Sequence, residues 1–219
     1  MKWFAAIGIS ALVLTACGTE QQVNPQSSPS PNVLDNAIEA TAARGTAVVT
    51  VEIVSDLETL NGVGSTSLTT GRGQIVWTNS ATGETVTELN TKDGLYSEID
   101  GTWFLAPPGT LTPTSTAINP LNGLGDLKSP TSDPLVGTLP LTIESGLNFS
   151  EEDLISLPAE CSPVVDVQIQ VDSSGLITQV TKEFECEGNQ RVSVINLTEF
   201  GTALDLAEPV DAIEVPGNQ

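Results

Sequence analysis

Histidine is absent from this 219-residue chain, and basic residues are scarce: seven Lys and Arg stand against 28 Asp and Glu. Without histidine the chain lacks the commonest general base, the usual zinc ligand and the side chain that titrates near neutrality. A Ser-His-Asp triad is excluded outright. A formal net charge of −21 repels phosphate backbones, so nucleic acid is not an expected partner. Other catalytic signatures are missing too. There is no Gly-x-Ser-x-Gly elbow, no Ser-x-x-Lys pair and no EF-hand loop, and Gly123, Gly125 and Lys128 fall short of a phosphate-binding loop. Nothing singles out two of the 28 acids as a glycosidase pair. Glu151-Glu152-Asp153 suits the positive end of a helix dipole better than a cation site. The chain therefore reads as a non-enzyme with no expected cofactor or metal. Aromatic residues make up 4%, so any core must be built from Val, Ile, Leu and Ala.

What is present begins with Met1-Lys2 and an apolar run from Trp3 to Leu14, the pattern of a secretory leader. The run is shorter than the ~20 apolar residues that span a bilayer. Leu14-Thr15-Ala16-Cys17 resembles a bacterial lipobox. That resemblance implies cleavage after residue 16, a diacylglycerol thioether on Cys17, and anchoring on the outer face of the cytoplasmic membrane. The alternative is a soluble secreted protein with an incidental cysteine. Beyond the leader, six basic residues face 28 acidic ones, a net charge of −22, so the acyl chains must hold the protein without a basic patch. Residues 17–32 hold the lipidated cysteine and a disordered tether, whose Gln-, Asn-, Ser- and Pro-rich stretch from Thr19 to Asn32 reaches at most ~45 Å, and 33–216 form one domain.

The spacing of Leu34, Ala37, Ile38, Thr41 and Ala42 predicts a helix over 33–43, capped by Asn32 and ended at Arg44-Gly45. From Thr46 the period becomes two, with Val49, Val51 and Ile53 on one face. Residues 55–70 read as a loop or weak strand end. Strands follow at 74–78, 84–90 and 95–99; Asp100-Gly101 signals a type I′ turn into 102–105, completing an antiparallel meander. Seven prolines between 106 and 140 argue against continuous sheet there and for a partly helical cover, with one helical turn in 119–127. A capped helix is expected from Ser150.

Two clear strands, 165–171 and 176–184, flank the turn Asp172-Ser173-Ser174-Gly175. Placing Val171 opposite Leu176 sets Val167 against Val180, Ile169 against Thr178, and Cys161 against Cys186. Directly opposed residues suit a disulfide, and an even cysteine pair outside the cytoplasm favours one. Two free thiols are the other state open to the pair. A strand over 191–200 and a short one over 204–206 complete the chain. Trp77, Tyr96 and Trp103 either line a ligand cavity or fill sheet core. The sequons at Asn148 and Asn196 read as chance matches.

A helix, antiparallel strands, a Pro-rich cover and more strands behind a lipobox resemble the actinobacterial LppX/LprA/LprF/LprG lipoprotein family, itself similar to the LolA and LolB carriers. Three stretches carry the resemblance: Leu34 to Ile53, Leu95 to Trp103, and Val194 to Gly201 running on to Glu208-Pro209. It implies a half-barrel whose concave face and helices enclose an apolar cavity for lipid or lipoglycan acyl chains. The Cys161/Cys186 pair and the proline-rich middle depart from the family pattern.

The resulting expectation is α+β: one curved antiparallel sheet, a half-barrel of seven or eight strands, with two or three short helices on its concave face. The expected function is binding or transfer of acyl chains in the cell envelope. Candidate lining residues are Val49, Val51, Ile53, Trp77, Tyr96, Trp103, Val167, Ile169 and Val194. The alternative is a tethered interaction module with a filled core that binds a protein or cell-wall polymer. No protein partner is indicated.

Overall fold

The computed structural model describes residues 32–56, 58–107, 117–128, 134–140, 162–186 and 188–215. The leader, Cys17, the tether, the helix expected after Ser150, and Cys161 lie outside the described residues, as does the side chain of Cys186.

One α-helix is present among the described residues, α1 (Asn32–Ala42). It starts at Asn32, so that residue is helical and not a preceding cap. Its expected stripe is the buried one: Leu34, Ala37 and Thr41 are enclosed, with Ile38 and Ala42 half-buried. The amide of Gly45 donates to the Ala42 carbonyl at 2.9 Å, and a φ of 80° at Gly45 turns the chain out of the helix.

Eleven strands follow: β1 (Thr46–Ser55), β2 (Thr59–Ser67), β3 (Gly73–Asn79), β4 (Thr85–Asn90), β5 (Leu95–Ile99), β6 (Thr102–Leu105), β7 (Leu135–Pro140), β8 (Val164–Val171), β9 (Ile177–Cys186), β10 (Asn189–Thr198) and β11 (Ile213–Glu214). They form one open, curved sheet in the order β11-β6-β5-β4-β3-β2-β1-β10-β9-β8-β7. The sheet is larger than the seven or eight strands expected, and the single α-helix falls short of two or three. The sheet is antiparallel except that β11 runs parallel to β6.

Three strands escape the sequence patterns. The β2 stretch, Thr-Leu-Asn-Gly-Val-Gly-Ser-Thr-Ser, reads as loop by composition, yet β1 and β3 pair along both of its sides. Strand β7 lies within the Pro-rich stretch because its one proline, Pro140, falls at the strand end. No strand occupies 204–206; the terminal strand is β11. The Asp100-Gly101 turn has positive φ at both positions (51° and 77°), as a type I′ turn requires.

The β8–β9 register also differs from expectation. Val167 pairs with Lys182 and Ile169 with Val180, not with Val180 and Thr178. Leu176 belongs to the turn: Asp172 donates its amide to the Leu176 carbonyl at 2.9 Å, and the Asp172 Oδ1 accepts from the amides of Ser174 and Leu176. The register then jumps from Gln170–Gln179 to Val171–Ile177, leaving Thr178 as the extra residue of a β-bulge. The bulge turns Ile177 into the core at 0% exposure. Its amide finds Thr41 Oγ1 at 2.8 Å, and that hydroxyl donates to the Ala37 carbonyl at 2.6 Å, which ties α1 to β9.

One face of the sheet carries the core. Residues 117–128, with a 3-10 turn at Leu124–Asp126, lie over it beside α1. Glycines without side chains receive this cover. A Cβ on Gly73 would fall 2.6 Å from Ile118 Cγ2, and one on Gly137 would fall 2.7 Å from the Leu127 side chain. Thr66, on β2, donates its hydroxyl to the Ile118 carbonyl. The cover thus reaches from β3 to β7. Six interstrand steps between those strands measure about 29 Å along the sheet. The nine-residue path from Ile118 to Leu127 contains turns and spans less than that, so the chord is shorter than the arc and the sheet must curl around the cover.

Candidate functional site

Strand register fixes which side chains share the inner face. Val49, Val51 and Ile53 of β1 lie level with Leu197, Ile195 and Ser193 of β10. Across β9 and β8 the same levels continue through Val180 and Lys182 to Ile169 and Val167. In the other direction they run over Gly64 and Gly62 to Ile75 and Trp77, then to Glu88 and Val86. Five of the expected lining residues, Val49, Val51, Ile53, Val167 and Ile169, are on this face at 0–3% exposure, and Trp77 joins them at 5%.

Three do not. Tyr96 pairs with Leu89, one position off Glu88, so it lies on the opposite face, where both are buried at 7% and 3% exposure. Trp103 pairs with Glu98 on that outer face. Val194 pairs with Glu52 and is likewise outward, while Ile195 and Leu197 fill the inner positions of β10. Alternation within a strand divides side chains into two sets, but only pairing with neighbours decides which set points inward. The three aromatics therefore do not form one cluster.

Under α1 and residues 117–128 the inner face is filled. Leu34, Ala37, Ile118, Leu121, Leu124 and Leu127 enter the same core cluster as the strand residues. Each buried Leu or Ile there contributes roughly 1.5–3 kcal/mol of apolar transfer. Toward β4–β6 the inner face is mixed: among the described residues Leu60, Val86 and Phe104 are half-buried and Ile99 is 49% exposed, interspersed with Glu88, Asn90, Ser97 and Thr102. The Trp77 ring lies across Gly62, where an added Cβ would approach to 2.7 Å.

Two charged residues are buried on this apolar face, Glu88 at 7% and Lys182 at 3% exposure. Trp77 Nε1 donates to Glu88 Oε2 at 3.2 Å, which satisfies the indole inside the sheet. Lys182 sits between Val167 on β8 and Ser193 on β10. Neither residue stands out in the sequence, because each alternates with neighbours of either character and only the register turns it inward.

The outer face carries different chemistry. Gln170 Nε2 donates to Gln179 Oε1 at 2.7 Å, Gln179 Nε2 to Asn196 Oδ1 at 2.8 Å, and Asn196 Nδ2 to Thr50 Oγ1 at 3.3 Å. This ladder ties β8, β9, β10 and β1 together. It also occupies both amide atoms of Asn196 in mid-strand, which makes that sequon a poor acceptor for modification. At the rim, an open groove is lined by Ser55, Asp56, Glu58, Thr59, Ser80 and Ala81. Among the described residues no cluster of three or more metal-ligating side chains occurs, and no helix is long and apolar enough to cross a membrane. No protein-family model and no curated protein matches this sequence.

Proposed function

We propose that this protein is a lipid-anchored envelope protein that binds acyl chains on the inner face of its curled sheet, without enzymatic activity. One observation carries the reading: among the described residues, Leu60, Val86, Ile99 and Phe104 lie on the inner face beyond α1 and residues 117–128 and stay partly exposed. Partly exposed apolar side chains on the inner face suit an apolar guest, whose chain would lie along Val86 and Phe104. The leader and lipobox pattern supports attachment at Cys17 to the outer face of the membrane from which such chains would be drawn.

A saturable titration of the full chain, carrying Cys17→Ala, with a fluorescent acyl probe tests the reading. Val86→Trp should weaken binding by filling the thinly covered end, with circular dichroism unchanged. A second reading, an interaction module for a protein or polymer, is favoured by the filled half of the inner face under α1. A folded domain that takes up no acyl probe would select it.

A further inference from the structure

The outward side of the sheet is not uniformly polar. Val54, Val63 and Val76 are 42%, 58% and 41% exposed there. Strand pairing gathers them: Val63 is opposite Val76, and Val54 lies between Val192 on β10 and Thr59 on β2. Glu52 is exposed among them, beside Val194 and two residues from Val54 along β1. The ladder from Gln170 to Thr50 borders this patch, since Thr50 is opposite Val63. The other border is the rim groove, about 370 Å³ in volume, and Thr59 is one of its walls. Hydrogen bonds brace that groove. Asn79 Nδ2 donates to Glu58 Oε2 at 3.2 Å, Asn61 Nδ2 to Ser80 Oγ at 2.6 Å, and the Ser80 amide to the Thr59 carbonyl at 2.9 Å. Asp56 and Glu58, both exposed, line it together.

Scattered exposed valines mean little, but a gathered set with a polar border has the composition of a contact surface. Charge decides what it fits. The outward positions of β1, β5, β8 and β9 carry Glu52, Glu98, Asp166 and Glu183 and neither Lys nor Arg. The Lys92 ion pairs, at the β4–β5 turn, neutralise none of these acids. A second copy of this chain would bring acid against acid, and anionic headgroups are repelled in the same way. A neutral polysaccharide gains nothing from the acids. A Lys or Arg side chain gains most, where two carboxylates line one groove beside apolar surface. We infer that the outward side, from Val76 to the groove, docks a basic amphipathic segment of a partner protein. The exposed valines take its apolar side chains, Glu52 attracts its positive charge, and the groove receives one Lys or Arg between Asp56 and Glu58. This surface is on the opposite side of the sheet from the acyl-binding face and does not depend on it.

The test titrates the full chain, carrying Cys17→Ala, into three fluorescently labelled synthetic peptides read by anisotropy. One is built of Lys, Leu and Gly; the second has Glu for each Lys; the third has Ser for each Leu. The Lys/Leu peptide should bind saturably, and the other two at least about tenfold more weakly, with added salt weakening the first. The double variant Asp56→Asn, Glu58→Gln should weaken Lys/Leu binding about tenfold, and Val63→Thr, Val76→Thr about fivefold. All four positions are at least half-exposed or on strand surfaces open to solvent, so circular dichroism should not change. Asp35→Asn, Glu39→Gln removes the same two charges from the exposed side of α1 and should leave binding within about twofold. An equal loss in the α1 variant would overturn the surface in favour of attraction by net charge alone. Equal binding of the Lys/Ser peptide would overturn the role of the valines. No saturable binding of the Lys/Leu peptide by the folded protein, or binding of isolated cell-wall polysaccharide that the Asp56/Glu58 variant leaves intact, would overturn the docking surface while acyl binding stands.

Discussion

The amide of Ser162 donates to the carbonyl of Glu185 at 2.8 Å. These are the chain neighbours of Cys161 and Cys186. The hydrogen bond lies outside the regular β8–β9 ladder, whose last pair at this end is Asp166–Glu183. Pro163, which has no amide to donate, falls between the two regimes. The Val171–Leu176 register from which the cysteine pairing was expected does not hold, yet the strand ends still approach where the cysteines flank them. A Cys161–Cys186 disulfide is the expected outcome. Under non-reducing conditions neither thiol should react with an alkylating reagent, and the Cys161→Ser, Cys186→Ser double variant should lose about 3 kcal/mol of stability to chemical denaturation. Full alkylation of both without reductant would contradict it.

Glycines on β2 set how closely it packs against β3. A Cβ on Gly64 would fall 1.9 Å from the carbonyl oxygen of Gln74, a backbone atom of the paired strand that cannot rotate away. Gly64→Ala should therefore cost about 3 kcal/mol or more, at the upper end of overpacking effects. Gly125, with open space around its missing Cβ, is the control, and Gly125→Ala should stay within about 0.5 kcal/mol. Equal stabilities of the two variants in urea would show that β2 and β3 are not this close.

The segment after β10 returns to the far edge of the sheet and is fastened at the β4–β5 turn. Lys92 Nζ lies 3.0 Å from Asp93 and 3.9 Å from Glu208. A hydrogen bond donated by the protonated Glu208 carboxyl to Asp93 raises the pKa of Glu208, helped by partial desolvation and the Asp93 charge and opposed by Lys92 and Thr91. Hydrogen bonds from Lys92 and Glu208 lower that of Asp93, with Arg72 adding a favourable charge. The signs follow: the Glu208 contribution is present when it is protonated and fades as pH rises through its raised pKa. The Asp93 contribution is present when it is ionised and is lost as pH falls through its lowered pKa. Docking of the segment should be tightest between the two, in mildly acidic solution. Hydrogen exchange at the Val215 amide, which donates to the Leu105 carbonyl at 3.0 Å, reports it. Protection should rise modestly as pH falls from neutral and decline again in strong acid, and Glu208→Gln should remove the rise. The groups are exposed, so salt should flatten the profile.

Much of this architecture is legible in the sequence where the pattern is local. The α1 stripe, the alternation of β1 and β8, and the Asp100-Gly101 turn follow from spacing and turn chemistry alone. What is not legible depends on neighbours. Strand β2 offers few apolar residues, and its place in the sheet comes from β1 and β3. The bulge at Thr178 follows from Leu176 joining the turn, which no alternation reveals. Tyr96, Trp103 and Val194 were separable by parity from the inward set, but the sign of that parity is a property of the whole sheet. The same ambiguity concealed Glu88 and Lys182, which only the strand register turns inward.

Attachment is tested at one atom. If Cys17 carries the lipid, Cys17→Ala should leave the protein in the soluble fraction or accumulate an uncleaved precursor, read by fractionation and intact mass. A variant as firmly membrane-bound as the parent and normally processed would contradict the anchor.

The central claim is that the inner face of the sheet holds acyl chains. Native mass spectrometry of the full chain after gentle extraction from membranes reads this directly. The expected spectrum contains, beyond the mass of the processed and anchored protein, a population carrying a further noncovalent mass that collisional activation releases as an acyl lipid. Val86→Trp should diminish that population. A folded parent protein that shows only its own mass under these conditions, and takes up no added lipid, would contradict the claim.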